Sequence, residues 1–243
     1  MTPPEVQLRE WASSLDILSK KDQFTRAGEF LFLEEFLPPA LREACLREVR
    51  DMSRHIHRVH LPGKKSGSIS FFRIREHAPT ILSLYRSPAF RRLLQELVGK
   101  TLHECAPQDP HSCSAFIYDR PGDHIGFHTD SCHYAHGLVY TVLIGLVDRS
   151  TAKLECHLST GEQVDVSLGE GGVAFFNGCN VRHRVTPLGH GEERVVLSCE
   201  FLLDPYMSPI RRLVANIDHG IKYFGLGSVL EAYFPGRGRG RRG

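Results

Sequence analysis

The chain has 243 residues, of which 41% are hydrophobic and 24% charged, and this composition excludes a disordered or fibrous protein for most of its length. The formal net charge is +2, but the last eight residues hold four arginines, and removing these from +2 leaves −2 for the remainder. A near-neutral body is not typical of a nucleic-acid-binding protein, so no nucleic-acid partner is expected. The Gly/Arg tail, residues 236–243, is low in complexity and is expected to be disordered.

The N-terminal sequence and the cysteines predict a cytoplasmic protein. Residues 1–11 are polar and lack the apolar run of a signal peptide. The longest uncharged apolar run, residues 137–147, is too short to cross a bilayer, so no membrane association is expected. Seven cysteines are scattered without a CxxC pair, which favours reduced thiols over a disulfide framework.

Residues 1–100 are expected to form a support of helices and strands. Apolar residues spaced by three and four predict a helix over 40–52, and Ser87-Pro88 and Gly99 are typical of the two ends of another helix. The elements predicted here are, in chain order, a helix-tolerant lead-in (4–22), a strand (30–37), a helix (40–52), a strand (55–61), a Gly/Lys/Ser loop (62–68) and a helix (87–99).

Residues 101–205 have the texture of a β-sandwich or barrel, with short β-rich runs separated by Gly- and Pro-containing turns. Residues 206–235 are expected to form C-terminal helices. The sequence therefore predicts one mainly β domain over residues 1–235 with flanking helices, and no feature points to a particular oligomeric state. The expected strands are 113–118, 128–130, 138–147, 153–158, 163–168, 172–176, 183–186 and 194–203.

Histidine is unusually frequent, and nine of the 14 histidines lie between His103 and His190. On a strand, His128 and Asp130 would project to the same face and could bind one metal ion together. Two histidines and one carboxylate form the facial triad of non-haem Fe(II) sites, and His183 is well placed in the sequence to be the third ligand. Arg194 follows after a Pro/Gly hairpin, where a guanidinium could bind an anionic co-substrate.

A family resemblance rests on residues 117–130 (IYDRPGDHIGFHTD), on residues 169–176 (GEGGVAFF), and on His183 and Arg194 after them. These motifs resemble, over about residues 113–203, the Fe(II)/2-oxoglutarate-dependent oxygenases of the prolyl-hydroxylase-like type. The resemblance implies a double-stranded β-helix (jelly-roll) fold and the cofactors Fe(II), 2-oxoglutarate and O₂. It also implies that His128, Asp130 and His183 bind iron, and that 2-oxoglutarate binds Arg194 with help from Tyr118.

One position departs from the family pattern. Many relatives have Ser or Thr two residues after the arginine, whereas this chain has Val196, and Ser198 on the same strand face is the expected replacement. Halogenating relatives replace the carboxylate ligand with a small residue so that chloride can bind iron. Asp130 therefore argues against halogenation and favours hydroxylation, with desaturation and ring closure left open.

The expected substrate is a small molecule, such as an amino acid or a natural-product intermediate. Two alternatives stay open, namely a peptidyl hydroxylase that acts on a protein side chain and a non-catalytic metal-binding β-barrel. A helical ligand pair formed by His124 and His128 is disfavoured by the nearby Pro121-Gly122 and Gly126. Candidate substrate-binding residues are Arg73, Arg75, His133, Tyr134 and Arg182.

Overall fold

The computed structural model describes residues 4–130, 138–215, 217, 220, 221 and 223–225. Within these residues the helices are α1 (Pro4–Ser14), α2 (Ile17–Arg26), α3 (Pro39–Asp51), α4 (Phe71–His77), α5 (Pro79–Tyr85), α6 (Pro88–Val98) and α7 (Pro209–Ala215), with one 3₁₀ turn at Ser53–His55. The strands are β1 (Phe30–Leu33), β2 (His57–Leu61), β3 (Lys64–Ile69), β4 (His103–Glu104), β5 (Cys113–Tyr118), β6 (His124–His128), β7 (Val139–Arg149), β8 (Leu154–His157), β9 (Gln163–Val166), β10 (Val173–Asn177), β11 (Arg182–Val185) and β12 (Glu193–Leu202).

The strands form the predicted jelly roll. Every pairing is antiparallel, in the order β1-β10-β7-β12-β5-β3-β6-β11-β8-β9, while β2 pairs with β3 and β4 with β12. Strand β3 connects the two halves of the sheet, because residues 67–69 pair with β5 and residues 64–65 pair with β6. This connection brings β6 and β11 opposite β5, β12 and β7.

The alternation of strand side chains separates a helix-packed core from an interior cavity. On β12 the odd-numbered Val195, Leu197, Cys199 and Phe201 pack in the same apolar cluster as the helices. The even-numbered residues of β12, from Arg194 to Glu200, line the cavity instead. β7 follows the same rule, since Val142 and Ile144 lie in the helix-packed core and Thr141 and Leu143 line the cavity.

Helices α3 and α6 form where the sequence predicts them, and the ends of α6 show why. The Ser87 hydroxyl accepts a hydrogen bond from the amide of Phe90 at 3.1 Å, which caps the N-terminus. Gly99 ends the helix in the left-handed conformation with φ +73°, where glycine has no Cβ to clash.

Several predicted elements differ from the structure. Strand β1 ends at Leu33, before Leu37, because the amides of Phe36 and Leu37 both bond to the carbonyl of Gly171. The predicted loop at 62–68 is largely strand β3, which is buried although most of its residues are polar. Strand β6 ends at His128, so Asp130 follows the strand and Thr129 lines the cavity.

Two further predictions concern the cysteines and the membrane. Cys45, Cys105, Cys113, Cys156 and Cys199 are free thiols, as expected, whereas Cys179 is disulfide-bonded, so that part of the prediction was wrong. In the part of the chain that the structure describes, no helix has both the length and the apolar character needed to span a bilayer. The predicted Gly/Arg tail lies outside the described residues.

Candidate metal centre

His128, Asp130 and His183 meet at one end of the cavity. Strands β6 and β11 pair with His128 directly opposite His183, so the two imidazole rings lie 4.2 Å apart between centroids. Oδ1 of Asp130 lies 3.9 Å from Nε2 of each histidine. All three ligand atoms lie within 4.8 Å of one another, which is a spacing that one metal ion can bridge.

Backbone carbonyls orient both histidines for metal binding. Nδ1 of His128 lies 2.9 Å from the carbonyl oxygen of Gly126, and Nδ1 of His183 lies 3.1 Å from that of Val181. A carbonyl can only accept, so each Nδ1 carries the proton and each Nε2 presents its lone pair toward Asp130. This second hydrogen bond is typical of metal-ligating histidines.

Asp130 is held by its neighbours on β7 and on the turn after β10. The hydroxyl of Thr141 donates a hydrogen bond to Oδ2 of Asp130. The Asp130 amide bonds to the carbonyl of Gly178 at 2.8 Å, and a Cβ on Gly178 would lie 2.4 Å from Oδ2. Glycine is therefore required at position 178 for the carboxylate to occupy this place.

Burial favours the neutral form of His128. It lowers the pKa of His128 to about 4, and the nearby His183 contributes in the same direction. His128 is therefore neutral near pH 7, the form that binds a metal. A carboxylate beside two imidazoles fits a divalent cation of the Fe(II) type.

Arg194 lies in the same cavity with its side chain only 1% exposed. One terminal nitrogen (Nη1) donates to the carbonyl of Ala152 at 3.1 Å and lies 3.7 Å from Oδ2 of Asp148. Its Nε is buried and has no hydrogen-bond partner among the described residues. A buried donor without a partner fits an anion bound in the cavity, such as the distal carboxylate of 2-oxoglutarate.

Tyr118 and Ser198, the two other candidate 2-oxoglutarate-binding residues, lie on strands β5 and β12. Tyr118 pairs with Arg194 across β5 and β12, and Ser198 lies four residues further along β12. Both side chains line the cavity and are nearly buried. Burial raises the pKa of Tyr118, so its hydroxyl stays protonated and can donate a hydrogen bond to an anion.

The part of the cavity away from Arg194 carries charged residues that sequence reasoning missed, and one of them, Glu200, pairs with Thr141 across β12 and β7. Asp109 and Glu200 have carboxylate oxygens within 4.8 Å of each other, and Arg212 lines the same wall. Burial raises the pKa of Glu200 well above its usual value, and the carboxylates of Asp109 and Asp130 add to this effect. Glu200 was detectable in the sequence, because it continues the alternation of Arg194, Val196 and Ser198 by one step.

The predicted substrate-binding residues do not gather in the cavity. Arg182 lies on the outer face of β11, 4.9 Å over the ring of Phe127. Arg73 pairs with Glu76, and Arg75 lies over the rings of Phe71 and Phe72. None of the three is among the described residues that line the cavity, so their placement offers no support for a substrate role. The other two candidates, His133 and Tyr134, lie outside the described residues.

The predicted alternative of a helical His124 and His128 pair was rightly disfavoured. Both residues lie on strand β6 and their backbone is extended. Nδ1 of His124 lies 2.8 Å from the carbonyl oxygen of Gly122.

An antiparallel jelly roll that places two histidines and a carboxylate beside a buried arginine is the arrangement that the resemblance to the Fe(II)/2-oxoglutarate-dependent oxygenases implies. The chain belongs to the Halogenase D family, whose model matches residues 13–205. No curated protein matches the sequence.

Solved structures share the fold at low sequence identity. The non-haem α-ketoglutarate-dependent epimerase SnoN from nogalamycin biosynthesis is 15% identical, with a TM-score of 0.65 over 77% of this chain and 82% of that chain. A prolyl-4-hydroxylase from Pseudomonas putida is 17% identical, with a TM-score of 0.60 over 76% of this chain and 97% of that one. A Trichoplax adhaerens prolyl hydroxylase, solved with a peptide fragment of hypoxia inducible factor, is 14% identical, with a TM-score of 0.64 over 88% of this chain and 98% of that one.

Proposed function

We propose that the protein is an Fe(II)- and 2-oxoglutarate-dependent oxygenase that hydroxylates an unactivated C–H bond of a small molecule. The observation that carries the proposal is the convergence of His128, Asp130 and His183 on one point, with the unpaired Nε of Arg194 in the same cavity. When bound, iron and 2-oxoglutarate supply the oxidising power, as 2-oxoglutarate and O₂ give succinate and CO₂ while the substrate C–H bond is oxidised.

The residues of this chain have separate roles in that reaction. His128, Asp130 and His183 would hold iron from one side and leave the cavity side open. Arg194 would bind the distal carboxylate of 2-oxoglutarate, with hydrogen bonds from Tyr118 and Ser198. The apolar side chains of Leu143, Leu154 and Val196 line the cavity between these groups and exclude water from the reacting atoms.

The presence of Asp130 supports hydroxylation rather than halogenation, despite the name of the family. The carboxylate fills its position, since it is hydrogen-bonded to Thr141 and in contact with Gly178. A halide that replaced this ligand would need the space that the carboxylate occupies.

The charged residues Asp109, Glu200 and Arg212 in the cavity support an amino acid as the substrate. Asp109 and Glu200 can accept hydrogen bonds from an ammonium group, and Arg212 can pair with a carboxylate. A zwitterion would offer its ammonium to the two acids and its carboxylate to Arg212. A natural-product intermediate that carries an amine could bind to the same two acids.

A cytoplasmic location remains a prediction from the sequence.

Two experiments test the proposal. Addition of 2-oxoglutarate to the anaerobic Fe(II) protein is expected to produce a visible charge-transfer band, and iron binding without the band would favour a non-catalytic metal-binding protein. Succinate release is then screened with free amino acids and related amines against synthetic peptides. Turnover of peptides alone would favour a peptidyl hydroxylase.

The matched variants of this screen are His128→Ala and Asp130→Ala, which are expected to abolish substrate-dependent succinate release. Thr151→Val, on the surface, is the control. Full activity in either triad variant would overturn the assignment of the metal ligands.

A further inference from the structure

Lys64 is a buried lysine whose ammonium group lies over two aromatic rings. Lys64 opens strand β3 and is only 6% exposed, and its Nζ has no hydrogen-bond partner among the described residues. Nζ lies 3.2 Å from the centroid of the Tyr223 ring and 4.6 Å from that of Phe116. Aromatic faces attract a cation but leave its three N–H groups without conventional acceptors.

This burial is unfavourable for the folded protein. Loss of solvent lowers the pKa of Lys64 well below its usual value, which shows that the charged form is disfavoured where it stands. A buried polar group without a partner requires an explanation, and a missing anionic ligand is one that the position of Lys64 supports.

Lys64 lines a cleft that adjoins the metal cavity. Ile125, His128 and Tyr223 line both spaces, so a molecule in the cleft would lie against one of the metal ligands. The remaining walls include the apolar side chains of Leu61 and Phe127. Of the described residues that line this cleft, Lys64 is the only one of the types Lys, Arg, Asp and Glu.

We propose that the cleft binds a carboxylate joined to an apolar body, with the carboxylate on Nζ of Lys64. A single ammonium balances one negative charge, which favours a carboxylate over a phosphate dianion, and the apolar walls fit the rest of the molecule. Such a ligand would extend past Ile125 toward His128. Its role as the oxidised substrate rests on the proposed function, whereas carboxylate binding does not.

A purely structural role for Lys64 makes the opposite prediction about stability. If Lys64 serves to stabilise the fold through its aromatic contacts, Lys64→Met should lower the melting temperature. If Lys64 instead serves to bind a ligand, the apolar and similarly sized methionine removes a buried polar group and should leave the melting temperature unchanged or raise it.

Calorimetry on the full chain, loaded with Mn(II) and 2-oxoglutarate without oxygen, tests the binding. The probes are alkanoates and aryl carboxylates from butyrate to 3-phenylpropionate, each compared with its neutral amide. At least one carboxylate is expected to bind wild type about tenfold more tightly than its amide. Lys64→Met should abolish this preference and Lys64→Arg should keep it.

Lys65→Met is the matched control, because Lys65 is the next residue of β3 and its ammonium bonds to the carbonyl of Pro121. The proposal is wrong if no carboxylate binds wild type better than its amide, or if Lys64→Met retains the preference. It is also wrong if Lys64→Met weakens 2-oxoglutarate itself, since Lys64 would then belong to the co-substrate site. None of these measurements requires turnover, so failure of the proposed reaction would be seen separately.

Discussion

Thr141→Val should weaken metal binding without disturbing the fold. Valine matches threonine in shape, so the substitution removes only the hydroxyl that donates to Oδ2 of Asp130. A hydrogen bond to a charged group contributes about 1.5–3 kcal/mol, and 1.4 kcal/mol corresponds to a factor of ten. Loss of the bond should therefore lower metal affinity about 10- to 100-fold, which is the range typical of residues that orient metal ligands.

Metal affinity is measured by anaerobic competition between the protein and a chelator, with Mn(II) or Fe(II). Thr141→Ser keeps the hydroxyl and should bind metal nearly as well as wild type, while Thr151→Val on the surface controls for a generic loss of threonine. Unchanged affinity in Thr141→Val would refute the reasoning, as would an equal loss in Thr141→Ser, which would point to packing rather than to the hydrogen bond.

Two further substitutions test the roles of Arg194 and Glu200 in the cavity separately. Arg194→Met should weaken 2-oxoglutarate binding at least about thirtyfold, because it removes the buried positive charge that would pair with the co-substrate carboxylate. The affinity for metal in the absence of 2-oxoglutarate should stay near that of wild type. An equal loss of both affinities would contradict the assigned role. Glu200→Gln should raise the free energy of unfolding at neutral pH. The folded-state pKa of Glu200 is raised, so its contribution to stability is favourable at low pH and is lost as the pH rises from the ordinary value of about 4.3 toward the raised value. Urea unfolding at pH 5 and pH 8 should show a smaller pH dependence in the variant, and an unchanged dependence would refute the assignment.

The strands and the candidate metal ligands could be proposed from the sequence because both depend on local pattern. Short β-rich runs between turns predict the positions of β5, β7 and β12, and the spacing of the motifs points to His128, Asp130 and His183 as candidate ligands. The alternation of side chains along a strand could have excluded Arg182 from the substrate-binding candidates, since a residue next to His183 on a strand must point to the opposite face.

Strand β3 could not be predicted, because its inner face is polar. Lys64, Ser66 and Ser68 are all buried, but apolar alternation is what identifies a buried strand from sequence. Gly67 packs against β2 and β5, where a Cβ would lie 2.7 Å from a side-chain carbon of Ile56. That close approach appears only once the neighbouring strands are in place.

The partners of Asp130 likewise depend on tertiary structure. Thr141 lies in the middle of an apolar run on β7, and no local signal separates it from a threonine that merely packs. Gly178 lies in a turn 48 residues after Asp130. The pairing of β10 with β7 brings the turn that holds Gly178 next to β7, and the bond from the Asp130 amide to the carbonyl of Gly178 places the carboxylate there.

The contrast between Asp130 and the family name leads to a last prediction. Asp130→Gly would leave both histidines, whose orientation depends on the carbonyls of Gly126 and Val181 and not on Asp130. It would also open a space beside Gly178, where a halide could become the third metal ligand. We therefore expect Asp130→Gly to bind Mn(II) weakly without halide and more tightly when chloride or bromide is added.

Asp130→Asn fills the same volume with a neutral amide and should show no such halide dependence, and neither should wild type. Competition with a chelator at increasing sodium chloride, with sodium sulfate at matched ionic strength as the control, separates specific binding from screening. An equal halide effect in the glycine and asparagine variants would mean that the carboxylate does not occupy a halide-sized position. In that case the presence of Asp130 would no longer argue for hydroxylation over halogenation.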